Sequence, residues 1–172
     1  MTDQAAIDVL VGEIVARHDA ALLPWLDGPP QTNEAGRSAN FIAALHWLAA
    51  RIVPKFEIME IGSSAGMNLL IDRYRYDLGG VMSGPTDAPI TIRPEWRGPP
   101  PPVDVFTITS LKGCDLTPID VRDDAAADRL RAYIWPEMTE RFARMDAGIA
   151  MIRERGVDLV PGDAADWVEA QL

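Results

Sequence analysis

The stretch from Lys55 to Asp72, Lys-Phe-Glu-Ile-Met-Glu-Ile-Gly-Ser-Ser-Ala-Gly-Met-Asn-Leu-Leu-Ile-Asp, constrains the fold more than any other part of the chain. Phe56, Ile58, Met59 and Ile61 form a short apolar run of strand formers, the pattern of a strand covered on both faces. Gly62 and Gly66 bracket three small residues, Ser63, Ser64 and Ala65, and Met67, Leu69, Leu70 and Ile71 then supply the apolar side of a helix expected to run to about Arg73. A strand that feeds a small-residue turn at the head of a helix is where open α/β sheets hold nucleotides and related ligands. The helix start is expected to offer backbone N–H groups, and the small residues allow a ligand close to the backbone.

The turn carries two chemical readings. Glu60, Gly62, Ser64 and Gly66 fit an acidic-x-G-x-G-x-G loop with serine at the middle glycine, the pattern of the first motif of class I S-adenosylmethionine-dependent methyltransferases. Gly62-Ser63-Ser64-Ala65-Gly66 also fits G-x-S-x-G, the nucleophile elbow of α/β-hydrolases, in which the histidine follows the serine. Both histidines, His18 and His46, precede Ser64, so the hydrolase reading lacks its general base in the expected order. A plain strand-to-helix turn is the reading that needs no ligand.

A chain of 172 residues is long enough for one domain with a real core. Net charge is −10, which disfavours non-specific binding to nucleic acid or to anionic lipid. A single cysteine, Cys114, allows no intrachain disulfide and fits a reducing cytoplasm. No signal peptide is visible at the N-terminus, and no apolar run reaches membrane-spanning length.

Residues 1–53 read as an N-terminal helical segment packing on the sheet, and 54–172 as the ligand-binding domain. Ile7, Leu10, Val11, Ile14 and Val15 recur at helical spacing within 3–23. The polar segment from Gln31 to Ser38 precedes a second helix carrying Phe41, Ile42, Leu45, Leu48 and Ile52, in which His46 and Trp47 read as packing residues. Asn33 or Ser38 is a cap in one reading. In the other, Asn33, Glu34 and Arg37 point at the glycine turn, with the Arg37 guanidinium placed for a ligand carboxylate.

Arg73-Tyr74-Arg75-Tyr76-Asp77 reads as an exposed strand or a frayed helix end, with a weak basic-aromatic signal for nucleic acid. Ile90–Arg93 and Val103–Thr109 read as strands of an inserted hairpin, joined across the extended run Pro99–Pro102. Asp115, with Leu116 beside it, is expected to end the next strand, where a carboxylate accepts from ribose hydroxyls. It lies 55 positions after Glu60, against a usual offset of about 20; Asp77, 17 positions after Glu60, is the rival. A helix capped by Asp123 or Asp124 and a longer one striped with Met138, Phe142, Met145, Ile149 and Ile152 follow. Val157–Val160 reads as a third core strand leading to Asp163 and Ala164, placed for an adenine amino group and ring nitrogen. Three sites at three successive strand ends point to an adenosine-containing ligand.

The combination resembles class I S-adenosylmethionine-dependent methyltransferases and, more closely, a bacterial family of uncharacterised proteins, domain of unknown function 2332. The residues that carry the resemblance are Gln31-Thr32-Asn33-Glu34-x-Gly36-Arg37, Glu60-x-Gly62-x-Ser64-Ala65-Gly66-x-Asn68-Leu69, Asp72 to Asp77, Gly113-x-Asp115-Leu116-x-Pro118, Trp135-Pro136-Glu137 and Gly162-Asp163-Ala164. The resemblance implies an α/β, Rossmann-like partial parallel sheet with N-terminal helices and an inserted β-hairpin, ending before a fourth strand. It implies S-adenosylmethionine as cofactor. Glu60, Gly62, Ser63, Ser64, Gly66 and Asn68 would lie at its methionine and ribose part, Asp115 and Leu116 at the ribose, and Asp163 and Ala164 at the adenine. The methyl acceptor and the catalytic residues are left open, and no metal is implied. A non-catalytic binder of the cofactor or of a related nucleoside is the alternative. A nicotinamide enzyme is disfavoured, because Glu60 would face the phosphates. The open sheet edge also points to a homodimer or an added partner strand.

Overall fold

The structure, a computed structural model, describes residues 3–172 and divides into two compact units, one ending at Pro30 and one spanning Gln31–Leu172. The first holds α1 (Gln4–Leu22), capped by the Asp3 carboxylate, which accepts from the N–H groups of Ala5 and Ala6. A kink falls at His18, and a 3-10 turn with Pro24 in its first turn ends the helix.

The second unit is a mixed α/β body built on a three-stranded parallel sheet and a smaller mixed sheet. The parallel sheet has the order β1 (Lys55–Ile61), β5 (Thr107–Asp115), β6 (Leu159–Pro161). Ile61 stands beside Cys114, and Asp115 beside Pro161, so the three strands end together on one edge. A bulge between Phe56 and Glu57 shifts the β1–β5 register by one residue.

β1 is covered on one face only, not on both as its composition predicts. Phe56 and Ile58 pack against the core, whereas Met59 is 46% and Ile61 58% exposed. The strand alternates half-buried and exposed residues along its whole length, the signature of a one-sided sheet.

The expected helix after the glycine turn is a single 3-10 turn, Met67–Leu70. The chain turns back at once into β2 (Arg75–Leu78), which pairs with β3 (Val81–Ser83) antiparallel across Gly79-Gly80 and with β4 (Thr91–Ile92) in parallel. The hairpin is therefore β2–β3, not Ile90–Arg93 with Val103–Thr109. Two tyrosines explain why the short turn holds. Tyr74 and Tyr76 are fully buried, and their hydroxyls donate to the carbonyls of Met67 (2.8 Å) and Ile71 (2.9 Å). These are carbonyls that a longer helix would have paired internally. The tyrosines are core, so they form no exposed basic-aromatic surface. Ser38 bonds to Tyr76 Oη at 2.9 Å and to the Ala35 carbonyl, tying α2 (Ser38–Ala49) to the small sheet.

α2 ends at Ala49, which leaves Ile52 outside the helix and 71% exposed. Trp47 is also exposed, with the Arg51 guanidinium 4.4 Å above its ring. His46 is buried as expected. Its Nδ1 meets the Asp104 carbonyl at 2.9 Å and its Nε2 the Ser83 hydroxyl at 2.8 Å. A carbonyl only accepts, so Nδ1 is the donor in the first of these bonds. α3 (Asp124–Ala132) is capped by Asp123, and α4 (Thr139–Arg155) buries Met145, Gly148, Ile149 and Ile152. α5 (Ala164–Glu169) follows β6.

Burial raises the phenol ionisation of both Tyr74 and Tyr76 well above the ordinary value near 10. For Tyr74 the neighbouring Tyr76, Glu34 and Glu60 add to the effect; for Tyr76 the Ser38 hydroxyl partly opposes it. The unfolded chain ionises first as pH rises, so the stability from these groups is complete below about pH 10 and is lost above it. In an alkaline titration followed by phenolate absorbance, two of the three tyrosines should stay protonated until circular dichroism shows the fold giving way. Simple titration of all three with the fold intact would contradict this burial.

Candidate functional site

The glycine turn holds three left-handed residues within five positions: Gly62 (φ 69°), Ser64 (φ 56°) and Gly66 (φ 84°). Ser64 is the sole non-glycine residue of this kind among those described. Such a backbone costs about 1–2 kcal/mol at a residue with a Cβ, so surrounding contacts must hold it.

Those contacts come from three directions. The N–H groups of Gly62 and Ser63 both donate to the Cys114 carbonyl, at 2.9 and 3.1 Å. Ser64 N–H donates to Asp115 Oδ2 at 2.8 Å, and the Ser64 carbonyl accepts from Ile119 N–H at 3.0 Å. Asn33, 5% exposed, donates from Nδ2 to the Ser63 carbonyl (3.0 Å) and accepts at Oδ1 from Met67 N–H (2.8 Å). Within the turn, Gly66 N–H donates to the Ser63 carbonyl and Ser63 Oγ to the Glu60 carbonyl. Gly113 has no side chain because a Cβ there would collide with Ser63 Oγ and lie 2.8 Å from Leu69 Cδ1.

This changes what the turn can offer. The amides of Gly62, Ser63, Ser64, Gly66 and Met67 are already paired within the protein, so the turn is not the open cradle of N–H groups that a long helix start would give. Its unused capacity is of the opposite kind. Glu60 Oε2, Asn68 Oδ1 and Ser64 Oγ are buried without a hydrogen-bond partner. Glu60 uses its other oxygen to accept from Asn68 Nδ2 at 2.7 Å. Asp115 accepts from Ser64 N–H and Thr117 N–H, one bond to each oxygen, which leaves lone pairs on both. Asp163 caps α5 through Oδ1, accepting from Ala165 N–H at 2.8 Å and Asp166 N–H at 3.4 Å.

The sequence-derived residues thus separate into groups. Gly62 to Gly66 and Asp115 are joined directly, and Gly162 N–H reaches the Asp115 carbonyl at 2.9 Å, which brings Asp163 and Ala164 to the same edge. Leu116 is 75% exposed beside them. Asn33 meets the turn from beneath as part of its scaffold. Glu34 faces elsewhere: its carboxylate pairs with Arg141 at 2.6 Å and Arg144 at 2.9 Å on α4. Arg37 is exposed and bonds Thr32 Oγ1 at 3.4 Å. Asp77, the rival ribose residue, caps the β2–β3 turn through Gly80 N–H. Ser64 Oγ touches no general base, and both ring nitrogens of His46 are engaged elsewhere. The sequence reading does not single out Arg141 or Arg144, and it takes Tyr74 and Tyr76 for exposed residues, although their period-two alternation fits the buried face of a strand.

Two cavities adjoin the turn. One of about 400 Å³ lies between Ala65, the loop Pro118–Arg122 and β6. The other, about 470 Å³, lies between α2 and β1 and is apolar except for Glu60 and Asn68. Among the described residues, no group of three or more histidine, cysteine or acidic side chains could hold a metal ion, and no helix is long and apolar enough to cross a membrane.

A family model described as uncharacterized protein conserved in bacteria (DUF2332) matches residues 1–172. The chain belongs to this family. No curated protein and no solved structure matches it. Membership in DUF2332 accounts for the whole chain and carries no activity with it, so the chemistry rests on the geometry of the turn.

Replacing Asn33 with alanine should cost roughly 1–3 kcal/mol, since the Met67 N–H loses its partner while the Ser63 carbonyl keeps the Gly66 N–H. Chemical denaturation measures this, and a loss below about 1 kcal/mol would remove Asn33 as the clamp. Ser64→Gly should go the other way. Relief of left-handed strain exceeds the added chain entropy, for a gain of about 0.5–1 kcal/mol.

Proposed function

We propose that this protein is a Rossmann-like, class I methyltransferase-type enzyme that binds S-adenosylmethionine across the carboxyl edge of the parallel sheet. The observation that carries this reading is the kind of hydrogen-bonding capacity at that edge. The N–H groups of Gly62, Ser63, Ser64, Gly66 and Met67 are consumed internally, while acceptor capacity remains on the Asp115 carboxylate. A site rich in acceptors suits ribose hydroxyls and amino groups and repels phosphates. That separates a nucleoside sulfonium from a dinucleotide, whose pyrophosphate needs free N–H groups.

The strand order gives the rest of the arrangement. β1, β5 and β6 are adjacent and parallel, and their ends present the turn, Asp115 and Gly162–Ala164 in sequence along one edge. Ligands of open α/β sheets lie outside the carboxyl ends of the strands. In this reading the ribose hydroxyls donate to the Asp115 carboxylate, which the Ser64 and Thr117 amides hold in place. The adenine amino group donates to Asp163 Oδ2, with the Ala164 backbone beside the ring nitrogen. The methionine end passes over Gly62–Gly66. S-adenosylmethionine supplies an electrophilic methyl group, and the chain's part is to orient it and exclude water.

Titration calorimetry with S-adenosylmethionine and S-adenosylhomocysteine tests this. Binding on the order of 1–100 μM is expected, weakened at least tenfold, or about 1.4 kcal/mol, by Asp115→Asn or Asp163→Asn. Asparagine retains an Oδ1 able to cap α5, so the second variant separates adenine recognition from folding. No heat with folded wild-type protein, or binding unchanged in both variants, would overturn the reading.

A further inference from the structure

The α2–β1 cavity poses a separate question, independent of the cofactor reading. Phe41, Leu45, Leu48, Ile58 and Leu69 line it with hydrocarbon, and Leu45 and Leu69 are themselves buried. Into this apolar wall the sequence sets one carboxylate and one amide. Glu60 and Asn68 bond to each other once, at 2.7 Å, and each is left with a buried oxygen that nothing satisfies. No arginine or lysine forms an ion pair with Glu60 among the described residues. Glu34 shows how the same protein treats a structural carboxylate: it receives two guanidinium groups from α4 and an amide N–H from Gly36. Leaving a buried carboxylate oxygen and a buried amide oxygen unpaired costs stability that an apolar pair would not.

We propose that this groove binds a primary ammonium group carried on an apolar body. A primary ammonium brings three N–H donors and one positive charge, enough to satisfy Glu60 Oε2 and Asn68 Oδ1 together. The hydrocarbon body lies along α2 between Leu45 and Leu48 and over Leu69. An alcohol of the same length supplies one donor and no charge; a carboxylate is repelled. Both oxygens are shielded in the free protein, so seating the ammonium takes a rotation of the Glu60 or Asn68 side chain toward the groove, within ordinary rotamer freedom. The protein's net charge of −10 assists the approach of a cation. Ala44 stands on the exposed rim of the same groove, where a large side chain would fill the cavity without entering the core.

The test uses n-hexylamine, hexan-1-ol and hexanoate titrated at neutral pH into the folded chain, with no cofactor present, so that its failure and failure of the cofactor reading are distinguishable. Hexylammonium should bind at least tenfold more tightly than hexanol, and hexanoate should not bind. Glu60→Gln should bring hexylammonium down to the level of hexanol while leaving the melting temperature of the ligand-free protein unchanged or raised. Ala44→Trp should abolish binding of both. Equal binding of amine and alcohol, absence of amine binding, insensitivity to Glu60→Gln, or amine binding that survives Ala44→Trp and so lies elsewhere on the acidic surface would each overturn the proposal.

Discussion

The Asn33 side chain is the contact on which the arrangement of this protein's glycine turn depends. Its amide bridges the Ser63 carbonyl and the Met67 N–H in a buried position. Those two groups stand on either side of Ser64-Ala65-Gly66, so one side chain fixes both ends of the strained segment. With the turn closed, Ser64 N–H can point at Asp115 and the Cys114 carbonyl can receive two amides. The carboxyl ends of β1 and β5 are thereby locked together, and Gly162 N–H on the Asp115 carbonyl extends the lock to β6. A left-handed serine is tolerable only inside such a network, because its strain is distributed over contacts that would be lost together.

The same network decides the chemical character of the site. Backbone amides that would otherwise attract an anion are turned inward, toward the Asn33 oxygen, the Asp115 carboxylate and carbonyl oxygens. The acceptor capacity left at that edge is on the Asp115 carboxylate, which takes one bond at each oxygen. A turn whose amides are mostly paired within the protein has few N–H groups to offer an anion, whatever its glycine spacing resembles. Glycine spacing alone therefore reports the path of the backbone, and the partners of the amides report the ligand class.

Much of this was legible in the sequence because it is local. The apolar run of β1, the small residues of the turn, the Asp115 strand end and the α4 stripe each follow from short-range periodicity, as does β6, which at Leu159–Pro161 starts two residues later than the expected Val157–Val160. The positions that were not legible depend on distant partners. Met67 to Arg73 carries a helical apolar pattern, yet it makes only a 3-10 turn because Tyr74 and Tyr76 reach back to its carbonyls. The alternation of arginine and tyrosine there was visible, but which face is buried is set by α2 and Ser38. The expected hairpin falls two strands later than β2–β3, because Thr107–Asp115 has strand composition in either role and only pairing with β1 assigns it to the parallel sheet. In the site, the glycines and Asp115 could be named from spacing, whereas Glu34 and Arg37 could not be oriented: a carboxylate 110 positions from Arg144 leaves no local trace.

β1 joins these observations, because alternation along one strand assigns its residues to two tasks. Lys55 and Glu57 put charge on the outward face at the start of the strand, which guards a one-sided sheet against pairing with other chains. Met59 and Ile61 leave that face apolar at the end nearest the turn, and Glu60 between them points to the opposite side, toward Asn68. The α2–β1 groove is lined by four consecutive strand residues, Ile58 to Ile61, so it wraps around the strand edge that β5 does not occupy. A molecule entering there meets hydrocarbon from both faces, the unpaired backbone of an edge strand and a single carboxylate. The physical requirement on any occupant is therefore narrow: an extended apolar shape, with cationic N–H donors confined to one end.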